Sequence, residues 1–341
     1  MFALNTSSID AARDLNFTAD LGISDSALTL LKIYNTVVLV VGVLGNAVVL
    51  TGLLNPRFMK IDATSRVLLQ NLAVTDILYT LFQFLPSLTT LFTRSWVYGP
   101  VLCLIAQIAA TVFAVNEIHV VTLLSCYRLW FVHHRAPGPG SATSRRTAGL
   151  VAAGVLLHDV VIHVAYHMTE STVTGYDREV LSCNVLRSRR DWQMGLGIYN
   201  IVLPILLTLA ANSATVCAIL RTLARSRQQP AYRRATLTIL TICIAFLLSY
   251  IPYFVQMSGA VSSPAFRLSS MYFLSVNIVL HPFVYVIADR REFGKFVKLA
   301  ALEVACELLQ CYEKVYTKIA GGFSEEDSTS NYSFQLINIR R

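Results

Sequence analysis

Residues 103–129 read CLIAQIAATVFAVNEIHVVTLLSCYRL, and this stretch decides the fold of the chain. Its only formally charged side chains are Glu117 and Arg128. Cys103 and Arg128 are separated by about 37 Å if the stretch is one α-helix. Because a helix needs about 20 apolar residues to cross a bilayer, we predict a long membrane-spanning helix with Cys103 at one edge and Arg128 at the other.

The rest of the chain shares this apolar character. Of its 341 residues, 55% are hydrophobic and 14% are charged, whereas soluble domains carry about 25% charged residues. Hydropathy predicts an all-α membrane protein, a bundle of seven transmembrane helices with no separate catalytic domain. In chain order, spans 1 to 7 are predicted at 31–54, 65–92, 100–132, 146–168, 192–223, 232–259 and 267–288.

The segments outside the bundle have different compositions. Residues 1–30 are predicted to be an extracellular tail, and 31–288 the seven-span domain. Residues 289–320 alternate apolar and charged side chains at helical spacing, which is typical of an amphipathic helix on the membrane surface. Cys306 and Cys311 on this helix are candidates for palmitoylation, with plain buried thiols as the alternative. Residues 321–341 read as a disordered cytoplasmic tail.

Basic residues predict the orientation of the bundle. With the N-terminus outside, 20 of the 28 Lys and Arg residues lie on the cytoplasmic side, in agreement with the positive-inside rule. The glycosylation sequons at Asn5 and Asn16 agree with an extracellular N-terminus. We therefore attribute the net charge of +8 to contacts with the lipid bilayer and a cytoplasmic partner, not with nucleic acid.

Two cysteines are placed on the outer side, where oxidation is permitted. Cys103 begins span 3, and Cys183 lies in the loop between spans 4 and 5. We predict a Cys103–Cys183 disulfide that holds this loop over the mouth of the bundle. Two unpaired thiols are the alternative.

Acidic side chains inside apolar helices are costly unless they are paired, neutral or bound to a cation. Glu117 shares a face of span 3 with Arg128, and Asp76 lies in span 2. The two acids could share a sodium ion or a proton, or one could be protonated and hydrogen-bonded. Asp159 in span 4 has no explanation from sequence. The inward face of span 3 is predicted to carry Gln107, Ala110, Ala114, Glu117, Val121, Leu124 and Arg128.

Other protein classes find less support. A transporter would show paired repeats with interrupted helices, and no such pairing is evident. A membrane enzyme would need a nucleophile or metal cluster, for which His158, Asp159, His163 and His167 form the densest group. The i, i+4 spacing of His163 and His167 suits a metal, but packing is the commoner role. We expect no metal beyond sodium.

Six features occur in order at separations that resemble those of rhodopsin-like (class A) G protein-coupled receptors, over nearly the whole chain. They are Gly45-Asn46 in span 1, Asn71-Leu72-Ala73 with Asp76 in span 2, the Cys103-to-Arg128 spacing in span 3, Phe246 with Ser249-Tyr250-Ile251-Pro252 in span 6, Asn277 with His281-Pro282-Phe283-Val284-Tyr285 in span 7, and Phe293 in the surface helix.

The resemblance implies a multi-pass receptor of the plasma membrane. A small extracellular ligand would bind among spans 3, 5, 6 and 7, and a heterotrimeric G protein would bind the inner face. Tyr127, Arg128 and Tyr285 would take part in G protein coupling. Asp76, Glu117 and Asn277 would form the polar centre that links the two ends, around sodium if an ion is bound.

The sequence also departs from the family pattern. The usual Asp-Arg-Tyr is Tyr127-Arg128-Leu129, so Arg128 lacks an adjacent carboxylate. We hypothesise a looser resting state with raised basal activity, a hypothesis that fails if Tyr127→Asp leaves basal signalling unchanged. His281 stands where the family has asparagine, which changes the hydrogen-bond donors of span 7.

The expected ligand is small and weakly polar. By the resemblance, Ala110 argues against a biogenic amine and Ser275 against a retinal Schiff base, whereas Glu117 and Tyr250 resemble odorant receptors. We therefore predict an odorant receptor, with a non-olfactory receptor for a small molecule or peptide as the alternative. The predicted pocket is lined by Gln107, Ala110, Thr111, Ala114, Tyr250, Tyr253, Phe254, Met271 and Ser275.

Overall fold

The computed structural model describes residues 25–55, 61–134, 142–169, 171–177, 181–223, 241, 244–253, 255–256 and 263–288. Several predictions concern residues outside this part of the chain. They are the surface helix at 289–320, the tail at 321–341, the sequons at Asn5 and Asn16, the cysteines Cys306 and Cys311, and the pocket residue Phe254.

Spans 1 to 4 are long helices. Span 1 comprises α1 (Asp25–Val40), a π-helical turn (Val41–Gly45) and α2 (Asn46–Leu54). Span 2 is α3 (Ala63–Thr93), span 3 is α4 (Gly99–His134) and span 4 is α5 (Ala142–His167). The described part of span 1 begins at Asp25, so its first turn includes residues that we predicted to be tail. Hydropathy missed this turn because it contains polar side chains.

Span 5 comprises α6 (Arg190–Gly197), a π-helical turn (Ile198–Val202) and α7 (Leu203–Leu223). Spans 1 to 5 are each long and apolar enough to cross a bilayer. In span 6 the described helix is α8 (Ile244–Tyr253). Span 7 consists of α9 (Pro264–Leu274) and α10 (Val276–Ala288), with an interruption at Ser275. All seven predicted spans thus contain helix at the expected positions.

A β-hairpin, which the hydropathy pattern did not predict, joins spans 4 and 5. Strands β1 (Val173–Asp177) and β2 (Ser182–Arg187) pair antiparallel, with Tyr176 opposite Cys183. Cys183 forms a disulfide with Cys103 at the start of α4, as predicted. The bridge fixes the hairpin to one end of the bundle, which we call the hairpin end.

Span 3 lies at the centre of the bundle. Its residues Ile118, Val121 and Leu124 are fully buried against apolar side chains from spans 1, 2, 5 and 6. Small residues bring span 1 close to its neighbours: a Cβ atom on Gly45 would lie 2.8 Å from Cγ of Pro282. Glycine at this position therefore lets spans 1 and 7 pack tightly.

Candidate functional site

A group of buried polar side chains, which we call the polar centre, joins spans 2, 3 and 7. It consists of Asp76, Glu117, Asn277 and His281, none more than 4% exposed. Nδ1 of His281 lies 2.7 Å from Oδ2 of Asp76, within hydrogen-bond distance. The replacement of the family's asparagine by His281 therefore gives Asp76 a direct partner.

Several atoms of the polar centre have no hydrogen-bond partner among the described residues. They are Oδ1 of Asp76, Oε1 of Glu117, both amide atoms of Asn277 and Nε2 of His281. Ligand atoms of Asp76, Glu117 and His281 lie within 4.8 Å of one another. Buried polar atoms normally have a partner, and carboxylate and amide oxygens suit a hard cation. The residues thus fit a sodium ion, a proton or ordered water.

A cavity of about 510 Å³ opens at the hairpin end. Side chains from spans 2 to 7 and from β2 line it, which places it among the helices expected to bind a ligand. The lining includes seven of the nine residues predicted for the pocket. These are Gln107, Ala110, Thr111, Ala114, Tyr250, Tyr253 and Met271.

Ser275 was predicted to face the pocket, and this prediction is wrong. Its side chain is fully buried and hydrogen-bonds the hydroxyl of Tyr34 in span 1 at 2.8 Å. It also donates to the backbone oxygen of Tyr272 at 2.6 Å. The interruption of span 7 at Ser275 lets this hydroxyl bond the preceding turn and face away from the cavity.

The cavity wall carries arginine and histidine side chains that the pocket prediction did not include. Arg190, Arg267, His163 and His167 all line it, and none of the lining residues in the described part of the chain is acidic. Arg267 also forms an ion pair with Asp177 of the hairpin at 3.0 Å. The nine residues predicted for the pocket include no Arg or His, because the prediction omitted the side chains of span 4 and of the outer turns of spans 5 and 7.

The cavity floor lies next to the polar centre. Tyr250 is buried, and its hydroxyl lies 3.4 Å from the backbone oxygen of Ala114. Its ring packs on Phe246 with a centroid distance of 4.4 Å. Ala114 and Glu117 are three residues apart and therefore lie on one face of α4. A ligand that moves Tyr250 or span 3 would act directly on the environment of Glu117.

Arg128 at the opposite end of span 3 has an acidic partner that the sequence analysis missed. Its side chain is buried, and its Nη2 lies 3.3 Å from Oδ2 of Asp62. The other carboxylate oxygen of Asp62 accepts a hydrogen bond from the backbone N–H of Ser65 at 2.9 Å and caps α3. Asp62 therefore gives Arg128 an acidic partner, which Tyr127, at the position of the family's aspartate, cannot provide. This pair removes the reason for expecting a loose resting state.

The remaining coupling residues are placed as follows. Tyr127 packs its ring against Trp130 and Phe131 at centroid distances of 6.0 Å. Tyr285 lies in α10, at the end of span 7 opposite the hairpin, but its side chain is outside the part that the structure describes. Their roles in coupling stay predictions.

A third intramembrane acid, Asp159, is surrounded by hydrogen-bond donors. Asp159 in span 4 is fully buried, and Oδ1 lies 2.9 Å from Nδ1 of His119 and 3.0 Å from Nδ1 of His158. Its Oδ2 accepts a hydrogen bond from the amide of Asn116 at 3.1 Å. We call His119, His158 and Asp159 the histidine cluster. The sequence did not predict this cluster, because Asn116 and His119 belong to span 3 and meet Asp159 only in the folded bundle.

Comparison with known proteins agrees with this arrangement. Residues 45–285 match the family described as 7 transmembrane receptor (rhodopsin family). The chain therefore belongs to the rhodopsin family of seven-transmembrane receptors, a family of signalling receptors and not of enzymes. It is a multi-pass membrane protein.

Individual relatives share low sequence identity with this chain. Somatostatin receptor type 1 of Rattus norvegicus is 27% identical over 241 residues, or 67% of this chain and 60% of that receptor. The chain thus spans less than two thirds of that relative. Hydroxycarboxylic acid receptor 1 of Mus musculus is 27% identical over 263 residues, covering 73% of this chain and 74% of the relative.

A solved structure supports the fold. The crystal structure of squid rhodopsin superposes with a TM-score of 0.68 at 18% identity, covering 83% of this chain and 87% of that one. At this identity the likeness concerns the fold alone. The named relatives are not odorant receptors, so these comparisons do not support the predicted odorant ligand and agree better with the alternative.

Proposed function

We propose that this protein is a non-olfactory receptor for a small molecule or peptide that carries a carboxylate, and that it activates a heterotrimeric G protein. The observation that carries the proposal is the basic wall of the cavity at the hairpin end. An odorant ligand is the weaker alternative, since its support is confined to Glu117 and Tyr250.

Charge complementarity favours an anionic ligand. Arg190 provides a guanidinium group at the cavity wall, and Arg267 provides a second one that is already paired with Asp177. Guanidinium groups bind carboxylates with two parallel hydrogen bonds. His163 and His167 add further nitrogen atoms on the span 4 side. Two relatives are named for hydroxycarboxylic acid and for somatostatin, so both small acids and peptides belong in the search for a ligand.

Signalling would pass through span 3. A ligand in contact with Tyr250 and Ala114 would change the arrangement of the polar centre. This change would in turn favour the broken form of the Arg128–Asp62 ion pair over the formed one. The agonist acts by binding the active state more tightly than the resting state. In the active state Arg128 leaves Asp62 and contacts the G protein.

Asp76, Glu117 and Asn277 would hold a sodium ion in the resting state. The ion supplies positive charge between two buried carboxylates. His281 leaves Oδ1 of Asp76 available for this role, because its N–H is directed at Oδ2. The extracellular N-terminus, the glycosylation at Asn5 and Asn16 and the palmitoylation of Cys306 and Cys311 belong to the same proposal.

The ligand class can be tested in cells that express the full chain. A panel of organic acids and acidic peptides is compared with the corresponding methyl esters, while cyclic AMP and calcium report on different G proteins. We expect acids to act and their esters to lose potency by at least about tenfold, as for a lost charged partner. Arg128→Ala serves as the silent receptor.

Two arginines near the start of span 5 provide a matched pair of variants. Arg190 lines the cavity, whereas Arg189 pairs with Asp191 on the surface at 3.0 Å. Arg190→Ala should reduce the potency of the acid, and Arg189→Ala should leave it unchanged at equal surface expression. Equal potency of acids and esters would overturn the anionic ligand, and silence toward every class at good expression would overturn the signalling role.

A further inference from the structure

The histidine cluster has the composition of a transition-metal site. It places two imidazole nitrogens and one carboxylate oxygen within 4.8 Å of one another, between spans 3 and 4. Imidazole with carboxylate is a donor set that favours Zn²⁺ over the hard cations, which prefer oxygen ligands alone. The cluster shares no residue with the polar centre, so it is a separate site.

We propose that His119, His158 and Asp159 bind a divalent transition metal ion, with Zn²⁺ as the best fit. The Nδ1 atoms lie 2.9 Å and 3.0 Å from Oδ1 of Asp159. Neighbouring ligand atoms around tetrahedral zinc are about 3.3 Å apart. Small side-chain rotations therefore open the space for the ion, and water completes the coordination.

The surroundings orient the ligands in the way that metal sites require. Nε2 of His158 is hydrogen-bonded to the hydroxyl of Tyr199 in span 5 at 3.0 Å. The second oxygen of Asp159 is held by Asn116, whose own amide oxygen accepts a hydrogen bond from Thr75 at 3.0 Å. Residues of spans 2, 3 and 5 thus position the ligands.

The proton balance of binding is simple. Without metal, the N–H group at each Nδ1 donates a hydrogen bond to the carboxylate of Asp159. Metal binding needs the Nδ1 lone pairs, so each neutral ring moves its proton to Nε2 through exchange with water. In His158 the new Nε2–H donates to the hydroxyl oxygen of Tyr199, which previously donated to this nitrogen. The ring therefore keeps a partner in both states.

The same face of span 4 connects the cluster to the cavity. Asp159, His163 and His167 are spaced by four residues and lie one turn apart. His163 and His167 line the cavity, and each has a ring nitrogen with no hydrogen-bond partner among the described residues, Nδ1 and Nε2 respectively. These nitrogens provide successive weak contacts for an ion that moves from the cavity to the cluster.

The experiment uses the purified full-length receptor in detergent, freed of metal by a chelator. Equilibrium dialysis against zinc chloride gives the number of bound ions and their affinity, and thermal unfolding is followed with and without zinc. The test variants are His119→Gln and His158→Gln, since glutamine retains hydrogen bonding to Asp159. The control is His133→Gln, because His133 is exposed and lies near the opposite end of span 3.

We expect the native receptor and His133→Gln to bind zinc equally and to unfold at a higher temperature when it is present. Each test variant should lose at least tenfold in affinity and lose the thermal shift, while its metal-free unfolding stays close to that of the native receptor. Magnesium should give no shift. Absence of zinc binding in the native receptor, or equal binding in all three variants, would overturn the proposal.

Discussion

The bundle contains two buried carboxylate clusters that use the same residue types differently. In the histidine cluster, both oxygens of Asp159 receive hydrogen bonds from His119, His158 and Asn116. In the polar centre, the described residues give the Asp76 side chain one partner, His281, and give one oxygen of Glu117 none. Without metal, the first cluster therefore joins spans 3 and 4 through its own hydrogen bonds, whereas the second has ligand atoms with no partner among the described residues.

The largest effect is expected at the histidine cluster. Asp159→Ala leaves the donors of Asn116, His119 and His158 without their buried acceptor, and breaking such a group costs up to about 3–5 kcal/mol. Thermal unfolding of the metal-free receptor in detergent should show a large decrease in stability. The matched control is Asp191→Ala, whose ion pair with Arg189 is exposed and contributes at most about 1 kcal/mol. Similar unfolding of both variants would contradict the structural role of Asp159.

A smaller effect is expected at His281. His281→Ala removes the only described donor to Asp76 and leaves its carboxylate unsupported, at a cost of about 1–3 kcal/mol. Because sodium can compensate the same charge, the loss should be largest in potassium or choline buffer and should shrink as sodium is added. Unfolding midpoints across a sodium titration provide the measurement. A loss that does not change with sodium would argue against an ion in the polar centre.

The smallest effect on stability is expected for Glu117→Gln. Oε1 of Glu117 has no partner among the described residues, so an amide of the same shape breaks no described hydrogen bond of this atom and should change the unfolding free energy by less than about 1 kcal/mol. The same variant should abolish the stabilisation by sodium. If sodium still stabilises Glu117→Gln as much as the native receptor, Glu117 is not a ligand of the ion.

Sequence predicted the parts of the molecule that depend on local pattern. Hydropathy located the spans, and helical periodicity identified the buried face of span 3 with Glu117 and Arg128. The side of the membrane assigned to Cys103 and Cys183 led to the correct disulfide.

The features that sequence missed arise from contacts between distant segments. Asp62 approaches Arg128 from a different span, and Asn116 and His119 meet Asp159 across the interface of spans 3 and 4. The basic cavity wall likewise depends on where the hairpin and span 5 place Arg190. Residue spacing within one helix does not predict such contacts, because they depend on the packing between helices.

The Arg128–Asp62 pair is the point at which signalling can be tested before any ligand is known. Asp62→Asn keeps the cap of α3, since asparagine is as good an N-cap as aspartate, but it removes the charge that holds Arg128. If that charge favours the resting state by about 1 kcal/mol, its loss raises the active fraction about fivefold.

Basal G protein activation of Asp62→Asn should therefore be compared with the native receptor and with Asp191→Asn at matched surface expression. We predict a severalfold increase in Asp62→Asn alone, and its loss in the double variant that also carries Arg128→Ala. Basal activity equal to that of the native receptor, or an increase that survives Arg128→Ala, would contradict a receptor held at rest by this ion pair.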